Sequence, residues 1–521
     1  METLEPSPGF IRMAGRETLS PAEERLERIR RSVGLFLGPA LFFLLLFLPL
    51  RGLETKAHTL AAIIGFVVVY WITEPIPIPI TALLAAVLCI VTGVSGARQT
   101  FAPFAEPTIF LFIGSFIMAE AMTVHRLDQR FAFQIMSIAW VGDSTARLLF
   151  VYGAIAAGIS MWISNTATAA MMLPIGLGLI SALNEIQSRH PDSRRTPKAS
   201  SYGMGLMLMT AYAASAGGIG SPVGTPPNLI GIAMIEKFAH VKIPFFQWML
   251  FSVPMLMAVY FILYALLYRM HRPEVEQVEG SHEFVREAVA RFGCLTRGQK
   301  NTLAAFGVMV TLWITPGFLA MITGTDSLVS QTYNRLIPEA AASLIGVILL
   351  FLLPTDWKKR EFTLKWPDAV QIDWGTLLLF GGGLTLGNLM FETKLAEAVG
   401  QGLLNLSHAS SCWSITGAAV FIAILVSETT SNTASANMVI PVMISLCQAG
   451  GINPVPPALG ATLGASWGFM LPVSTPPNAI VYGSGLVPIT KMIRAGFLFD
   501  ILGGLIIWTG LRLILPWIGL A

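Results

Sequence analysis

A short run of small polar residues occurs twice in this chain, each time within strongly apolar sequence. Ser-Asn-Thr stands at 164–166 and again at 431–433. A second polar element, Thr-Pro-Pro-Asn, follows each copy, at 225–228 and at 475–478. Hydroxyl and amide oxygens can bind a hard cation, and hydroxyl and amide hydrogens can donate to an anion. The four segments are therefore candidates for binding a cation and an anion together.

None of these segments contains a charged residue. A fixed arginine would bind a dicarboxylate more tightly, but it would be costly to carry through lipid and hard to discharge once the anion leaves. Neutral donors avoid this problem if cations arrive and leave with the substrate. We therefore predict an anion site built from Ser, Asn and Thr with Na⁺ beside it. Helix ends that face the site would add partial charge of either sign.

The composition is that of an integral membrane protein. Of the 521 residues, 54% are hydrophobic and only 12% are charged, whereas soluble domains carry about 25% charged residues. Many apolar runs reach the roughly 20 residues that span a bilayer. The net charge of +3 identifies no partner, and no nucleic-acid binding is predicted. The four cysteines and seven histidines are dispersed without metal-ligand spacing, so no structural metal is predicted.

Four apolar segments are unlike single straight spans. Those at 145–184 and 412–447 are too long for one crossing and are interrupted by the Ser-Asn-Thr runs, so we predict two re-entrant hairpins. Those at 201–235 and 455–487 are broken by glycine and proline. Proline lacks an N–H and clashes with the preceding turn, and unwound backbone in a membrane needs protein or a polar cavity around it. These two segments are predicted to be discontinuous transmembrane helices.

Basic residues give the orientation. Arginine and lysine cluster before residue 33, near 189–198, in the loop at 270–299 and near 358–365. If the hairpins return to their own side, all four clusters fall on one face, which the positive-inside rule makes cytoplasmic. The predicted fold is an all-α polytopic membrane protein with about 11 transmembrane helices plus two re-entrant hairpins. It would lie in the inner (plasma) membrane, with a cytoplasmic N-terminus and the C-terminus outside.

The chain also contains an internal repeat. Residues 112–114 align with 380–382, and the Ser-Asn-Thr runs follow at nearly the same offset. Each half has spans, a short amphipathic segment (about 125–140 and 393–408), a hairpin, a broken helix and a final span. An odd number of spans separates equivalent points, so the halves are inverted. Inverted repeats with broken helices in matching positions indicate a secondary transporter whose site lies near the middle of the membrane.

Pairing each hairpin tip with the broken helix of its own half gives two related cation sites. Gly224 and Ser474 stand just before Thr-Pro-Pro at equivalent places. Proline has no backbone N–H, so tandem proline leaves carbonyl groups without a hydrogen-bond donor, and these carbonyls can face Na⁺. The anion is then expected between the two tips, at the interface of the halves.

Four carboxylates lie in or beside apolar sequence: Glu74, Glu106, Glu120 and Glu428. Such groups can relay protons in membrane proteins. Glu74 and Glu106 precede prolines at segment ends, where a capping or interfacial role is expected. Glu428 lies three residues before Ser431 and could tune the nearby site.

The motifs resemble those of the divalent anion:sodium symporter (DASS) family, which contains sodium-coupled di- and tricarboxylate and sulfate transporters. The similarity covers roughly residues 35 to 519 and includes the sequences 162–168 and 469–478. It implies a homodimer in which each protomer has a scaffold domain and a transport domain. It also implies that the transport domain moves as an elevator, with the amphipathic segments as arms.

The resemblance further implies ligands. One sodium site corresponds to Ser160, Ser164, Asn165 and Gly224, and the other to Ser427, Ser431, Asn432 and Ser474. Substrate carboxylates would meet Asn165, Thr166, Asn432 and Thr433, with Thr225, Pro226, Thr475 and Pro476 alongside. Family members often have Thr at the place of Ser427 and Ala at the place of Ser474. Both changes keep or add a hydroxyl, which leaves the cation site plausible.

With this resemblance, the chain divides into alternating scaffold and transport segments. In order they are a cytoplasmic tail (1–32), the first scaffold segment (33–124), the first amphipathic arm (125–143), the first transport segment with its hairpin, broken helix and sixth span (144–269), a cytoplasmic loop (270–299), the second scaffold segment (300–392), the second amphipathic arm (393–411) and the second transport segment with its hairpin, broken helix and last span (412–521).

The expected function is therefore secondary active transport and not enzymatic catalysis: import of C4-dicarboxylates such as succinate, coupled to Na⁺ at two sites. Alternatives within the fold are a citrate or sulfate symporter, or a dicarboxylate exchanger. A membrane enzyme is disfavoured because no Ser/His/Asp or paired-Asp set occurs in the apolar segments. A channel would be indicated instead by a continuous ion current and by the absence of saturable counter-transport. A purely structural or receptor protein would leave the duplicated broken helices without a role.

Overall fold

The computed structural model describes residues 21–49, 52–189, 201–273, 281–324, 327–407 and 411–521. The tail up to residue 20 and the basic linker at 190–200, both named above, lie outside the described residues. Within the described residues the chain is helical apart from loops and one short β-hairpin.

Eleven helices lead to the end of the predicted sixth span. They are α1 (Pro21–Phe47), α2 (Thr55–Thr73), α3 (Ile78–Val91), α4 (Ala97–Phe101), α5 (Pro107–Val124), α6 (Leu127–Met136), α7 (Thr145–Ser160), α8 (Asn165–Arg189), α9 (Ser201–Gly217), α10 (Pro226–Met234) and α11 (Phe245–Met270). Short 3₁₀ turns lie at Ala102–Ala105 and Gly218–Gly220, and a π-helical turn lies at Ile235–Ala239.

Twelve more helices follow. They are α12 (Ser281–Phe292), α13 (Arg297–Thr323), α14 (Leu328–Leu336), α15 (Glu339–Leu352), α16 (Trp366–Ala369), α17 (Trp374–Glu392), α18 (Leu395–Ser407), α19 (Cys412–Thr429), α20 (Asn432–Ala449), α21 (Val455–Ala465), α22 (Pro476–Gly483) and α23 (Ile489–Ile514), which ends in a 3₁₀ turn at Leu515–Ile518. Strands β1 (Pro354–Asp356) and β2 (Glu361–Phe362) pair antiparallel between α15 and α16. This two-stranded hairpin is the exception to the predicted all-α fold.

Eight of the described helices are long and apolar enough to cross a membrane, or nine if the bent pair α14–α15 forms one span. One of the eight, α19, belongs to the predicted second hairpin. The prediction of about 11 spans also counts the shorter α3 and the two broken helices. The polytopic membrane architecture is confirmed, and the total number of crossings stays a prediction.

Both predicted hairpins are antiparallel helix pairs with a short break at the Ser-Asn-Thr run. In the first hairpin (α7 and α8), the Tyr152 hydroxyl donates to the backbone carbonyl of Met172 at 2.8 Å. In the second hairpin (α19 and α20), the Ser435 hydroxyl donates to the carbonyl of Ala423 at 3.0 Å. Each bond joins residues on opposite sides of the break, so the two helices run back alongside each other.

The two broken helices are interrupted at the places where proline and glycine predicted a break. The first broken helix stops at Gly217 and resumes at Pro226, and the second stops at Ala465 and resumes at Pro476. Proline is tolerated at these restarts because the first N–H groups of a helix have no intrahelical partner. Helix α9 is buried on nearly all sides, and every residue of α21 is buried. The broken helices therefore form the centre of the molecule.

The packing of the central helices repeats between the halves. Helix α8 contacts α9 of its own half and α22 of the other, and α20 likewise contacts α21 and α10. Phe112 and Phe380, which the repeat makes equivalent, meet with ring centroids 5.5 Å apart. Contact between equivalent residues is expected where two related halves meet. Each hairpin thus lies against both broken helices.

The two amphipathic segments form short helices, α6 and α18. Both follow a residue in the left-handed backbone conformation, Arg126 (φ 53°) and Lys394 (φ 61°), which turns the chain sharply at the end of the preceding helix. Helix α6 is held by Arg130, whose guanidinium donates to Gln299 Oε1 at 2.9 Å and to backbone carbonyls at the end of α12. A basic side chain there satisfies carbonyls that the helix leaves free.

Candidate functional site

The first tip (residues 161–166) joins α7 to α8. The Ser160 hydroxyl donates to Asn165 Oδ1 at 2.7 Å. The Ser164 hydroxyl accepts from the Ala167 N–H at 3.2 Å and so caps the start of α8. Ser160 is buried, whereas Asn165 is half-buried and Thr166 is exposed. The amide oxygen of Asn165 is thereby fixed at the edge of the tip.

The second tip (residues 430–433) repeats this arrangement. The Ser427 hydroxyl donates to Asn432 Oδ1 at 2.7 Å, and the Ser431 hydroxyl accepts from the Ala434 N–H at 3.2 Å as the cap of α20. The same two interactions occur with the same residue types and nearly the same distances. Thr433 is buried, in contrast to Thr166.

The last residue of each Thr-Pro-Pro-Asn element holds the break of its helix. Asn228 Nδ2 donates to the carbonyls of Gly218 and Ser221, at 2.9 and 2.8 Å. Asn478 Nδ2 donates to the carbonyls of Gly468 and Leu471, at 3.2 and 3.0 Å. Both asparagines are fully buried. This role was not predicted from the sequence, although the duplication of the two asparagines at equivalent places was a signal for it.

In the first half the tip and the break meet closely. A methyl group added at Gly224 would lie 2.9 Å from the Ser160 carbonyl oxygen and 2.5 Å from that of Gly218. One added at Gly218 would lie 2.6 Å from Asn165 Oδ1. Only glycine allows backbone this close. The structure therefore brings together Ser160, Asn165 and Gly224 of the predicted first sodium site, with Ser164 as a cap at the same tip.

The second half converges in the same way. The Ser427 hydroxyl also approaches the Ala465 carbonyl at 2.8 Å, at the end of α21. A methyl group at Gly468 would lie 3.2 Å from Ser427 Oγ and 3.3 Å from Ser474 Cβ. The predicted ligands Ser427, Asn432 and Ser474 therefore surround one place at this break, and Ser431 caps the adjoining helix.

Each half thus offers hydroxyl, amide and carbonyl oxygens, which are the ligands that hard cations prefer. The C-terminal ends of α7 and α19 point partial negative charge at the tips, which favours a cation. The N-terminal ends of α8, α20, α10 and α22 carry N–H groups and partial positive charge, which favour an anion. The arrangement can hold a cation in each half and an anion beside the helix N-termini.

The predicted anion contacts are distributed over both halves. Thr225 and Thr475 are buried N-cap residues of α10 and α22, and Pro226 and Pro476 begin these helices. Because α8 lies against α22 and α20 against α10, each tip helix adjoins the Thr-Pro-Pro element of the opposite half. This supports a divided site.

Glu428 lies next to the second predicted sodium site. It is 2% exposed, its Oε2 accepts from the Ser474 hydroxyl at 2.6 Å, and its Oε1 accepts from the Met470 N–H at 2.9 Å. The Ser474 hydroxyl also approaches the Glu428 carbonyl at 3.2 Å. The carboxylate therefore contacts a predicted sodium ligand.

Asp500, which was not predicted as a site residue, is a second buried carboxyl at this place. It lies on α23, 4% exposed, beside the Glu428 carboxyl and the backbone of Phe469. Neither of its carboxyl oxygens makes a hydrogen bond of normal geometry in the described part of the chain. Its position in an apolar final helix was the only signal in the sequence.

The chain is similar in sequence to known membrane transporters. The family profile described as "Sodium:sulfate symporter transmembrane region" matches residues 30–520. The sodium-dependent dicarboxylate transporter SdcS of Staphylococcus saprophyticus is 33% identical over 489 residues, covering 93% of this chain and 91% of that protein. SdcS of Staphylococcus aureus strain MRSA252 is 32% identical over 488 residues, with the same coverage.

Among solved structures, the chain is similar to the Alcanivorax borkumensis YdaH transporter, with a TM-score of 0.52 and 13% sequence identity. The similarity covers 95% of this chain and 98% of that one. At this identity the likeness concerns the fold alone.

Proposed function

Since the chain belongs to the sodium:sulfate symporter family, also called the DASS family, we propose that it imports C4-dicarboxylates such as succinate together with Na⁺. The protein is a multi-pass membrane transporter and not an enzyme. The observation that carries the proposal is the duplicated cluster of neutral oxygen ligands, one at each hairpin tip. The names of the staphylococcal relatives support sodium and a dicarboxylate as the transported species.

Charge compensation explains why cation and anion are transported together. The tips and breaks contain no basic side chain, so a dicarboxylate held there carries two uncompensated negative charges. Two Na⁺ ions, one at Ser160, Ser164, Asn165 and Gly224 and one at Ser427, Ser431, Asn432 and Ser474, offset them. The anion lies between the tips, against Asn165, Thr166, Asn432 and Thr433. Neither ion then crosses the membrane as an isolated charge.

We further propose that the transport segments move as an elevator against the scaffold. The two hairpins pack differently against the scaffold and arm helices, and this difference supports the elevator proposal. Helix α17 of the scaffold packs against α20, and α18 packs closely along the same helix, whereas the equivalent α5 and α6 make few contacts with α8 in the described residues. The second hairpin is therefore held by both the scaffold and its arm, whereas the first hairpin makes few such contacts in the described residues. If the first hairpin gained these contacts and the second hairpin lost them, the site would open to the opposite side of the membrane.

The location and assembly follow from the same proposal. The protein lies in the plasma membrane as a homodimer, with the N-terminus cytoplasmic and the C-terminus outside. Arg30, in the basic segment of α1, pairs with Glu74 at the end of α2 at 3.8 Å, which supports placing both on the cytoplasmic side. The scaffold helices would form the dimer contact.

Uptake by the purified protein in proteoliposomes tests the function. Labelled succinate, citrate and sulfate are offered with an inward Na⁺ gradient, with equal Na⁺ on both sides, and without Na⁺. The proposal predicts concentrative succinate uptake only with the gradient. Preference for citrate or sulfate would show that the substrate is a different anion. Uptake driven by internal dicarboxylate without Na⁺ on either side would show that the protein is an exchanger and not a symporter.

A further inference from the structure

A cavity of about 370 Å³ lies where the first hairpin meets the arm helix α6 and the scaffold helices α5 and α13. We propose that this cavity binds a phospholipid with a primary ammonium headgroup, of the phosphatidylethanolamine class, from the surrounding bilayer. The ammonium group pairs with Asp128, and part of one acyl chain fills the apolar remainder. This lipid site goes beyond the proposed transport function and does not depend on it.

Apolar side chains from four helices line most of the cavity. Met122 of α5, Phe131 of α6, Ile155 of α7 and Phe306 of α13 are among them. Pockets of this size that bind organic ligands are mostly apolar, with a few polar groups that fix the orientation of the ligand. Purely apolar cavities stay dry and accept hydrocarbon. The lining therefore favours an acyl chain over a polar solute.

The cavity opens to the lipid-facing surface of the protein. Ile135, which lines it on α6, is 41% exposed, and Gly158, which lines it on α7, is exposed as well. A methyl group added at Gly158 would meet no atom within 4 Å, so the space beside this glycine is free. Exposed apolar positions of a membrane protein face hydrocarbon. The cavity is therefore continuous with the bilayer, and this continuity identifies a membrane lipid as the occupant.

Asp128 is the only charged residue among the described residues that line this cavity, and it is 5% exposed. Its carboxyl contacts the backbone N–H groups of its own residue and of Gln129, at the start of α6. No ion pair joins it to a basic side chain in the described ranges, since Arg130 faces Gln299 and the end of α12. A buried carboxylate without a basic partner is costly, so a cationic group in the cavity stabilises it.

The surroundings of Asp128 are acidic. Burial raises the pKa of Asp128 to about 6, so the carboxyl is still mostly ionised at neutral pH. Glu120 on α5 lies near enough for its charge to interact with that of Asp128, and it too has no ion pair in the described ranges. The other described lining residues have no side-chain oxygen, so a metal ion would lack ligands. An ammonium group can instead donate hydrogen bonds to the carboxylate.

The place of Asp128 along the chain suits a lipid headgroup. Helix α5 is a candidate span that ends at Val124, and Asp128 follows in the next helix. Asp128 therefore lies near the membrane surface, where headgroups lie. Arg126 at the start of α6 is exposed and has no ion pair in the described part of the chain, so it is available to the lipid phosphate. Acidic and basic groups at this level match a zwitterionic headgroup.

Native mass spectrometry of the purified protein in a neutral detergent tests the headgroup. The probes are phosphatidylethanolamine and phosphatidylglycerol with the same acyl chains, and the affinity for the first bound lipid is measured. Wild type should bind phosphatidylethanolamine about tenfold more tightly than phosphatidylglycerol. Asp128→Asn should lose this preference, because removing a charge beside an ammonium group weakens binding by about that factor. Equal binding of the two lipids by wild type would overturn the proposal.

A second variant tests the acyl-chain part of the site. Gly158→Leu fills the space beside α7 and should weaken phosphatidylethanolamine binding about tenfold, the effect of excluding about two methylene groups. Leucine is a better helix former than glycine, so this variant should fold. Gly307→Leu is the control on α13, where an added methyl group also meets nothing within 4 Å. Glu287→Gln, at an exposed carboxylate of α12, is the control for charge. Both controls should bind the lipid as wild type does.

Wild-type binding of phosphatidylethanolamine by Asp128→Asn or by Gly158→Leu would overturn the proposal. Dodecylamine distinguishes a lipid from a free amine. If dodecylamine binds in an Asp128-dependent manner and phosphatidylethanolamine does not bind, the occupant is a free amphiphilic amine and the proposal is wrong. Lipid binding is measured without transport, so its failure would leave the proposed function unaffected, and a failure of Na⁺-coupled uptake would leave the lipid site unaffected.

Discussion

The amide oxygens of Asn165 and Asn432 each accept a hydrogen bond from a serine hydroxyl five residues earlier, at 2.7 Å in both tips. This bond sets the direction of the amide group. In the proposed cation sites the same serine hydroxyl and the same amide oxygen face the ion together. Loss of either asparagine side chain removes one ligand and the partner of another.

Asn165→Ala and Asn432→Ala are each expected to lower Na⁺-dependent succinate uptake about tenfold or more, because each variant loses one cation ligand and the amide partner of the serine hydroxyl. The purified variants should elute as wild type in size-exclusion chromatography, since neither residue is fully buried. Asn334→Ala, at an exposed position of α14, is the control and should transport normally. Wild-type uptake by both tip variants would remove these residues from the site.

The two threonines that follow occupy different environments, since Thr166 is exposed and Thr433 is buried. Thr166→Leu and Thr433→Leu each narrow one side of the proposed anion site. We expect the ratio of kcat/KM for succinate over citrate to change about tenfold in at least one variant. Competition uptake with labelled and unlabelled anions measures it. If neither ratio moves, the anion is not held between the tips.

At this scale the sequence predicted which residues meet, because duplication made the Ser, Asn and Thr positions stand out. It could not predict what lies behind them. Asp500 is distant from Glu428 along the chain, and only the packing of α23 on α19 brings the two carboxyl groups together. The hydrogen bonds of Asn228 and Asn478 likewise depend on how each break folds back.

At the scale of elements, the contact between α17 and the second hairpin depends on a glycine. A methyl group at Gly383 would lie 1.8 Å from Asn437 Oδ1, on α20. Asn437 Nδ2 in turn donates to the Thr433 carbonyl at 2.9 Å. The glycine therefore lets the scaffold approach the hairpin directly below its tip.

Gly383→Ala is expected to lower the melting temperature and to slow uptake, because overpacking at such a contact costs about 1–3 kcal/mol. Gly307→Ala is a matched control on α13, where an added methyl group would meet nothing within 4 Å. It should be neutral or slightly stabilising. Unchanged uptake and stability of Gly383→Ala would show that α17 and α20 need not approach this closely.

Elements with strong local signals were predicted well. Tandem proline and glycine located both breaks, and the polar runs located both hairpin turns. The boundaries of α2 and α3 follow from Glu74, which has φ 49°, and from the prolines after it. The β1–β2 hairpin was not predicted, because its strands have only three and two residues and no alternating apolar pattern.

For the whole molecule, the elevator proposal requires contacts between the scaffold and transport segments to break. One such contact is the ion pair between Lys237, after the first broken helix, and Glu106, before α5, at 3.8 Å. Phe238, next to Lys237, stacks on Phe391 at the end of α17 with ring centroids 4.3 Å apart. These contacts join the first transport segment to both scaffold segments.

A cross-link at this contact should therefore stop transport. Glu106→Cys with Lys237→Cys, in a chain whose native cysteines are replaced, is treated with a short bis-maleimide. We expect uptake to fall in proportion to the fraction cross-linked. Cysteines in place of Glu287 and Arg291, one turn apart on α12, should cross-link without effect. Full uptake by completely cross-linked protein would contradict the elevator and favour movement of the tips alone.

The central claim is that each tip holds one Na⁺ and one side of a shared anion. An experimental structure of the purified protein in sodium succinate tests it most directly. The predicted result is one ion between Ser160 and Asn165, a second between Ser427 and Asn432, and succinate between Thr166 and Thr433. Succinate bound within one half alone, or bound with no ion at either tip, would contradict the claim.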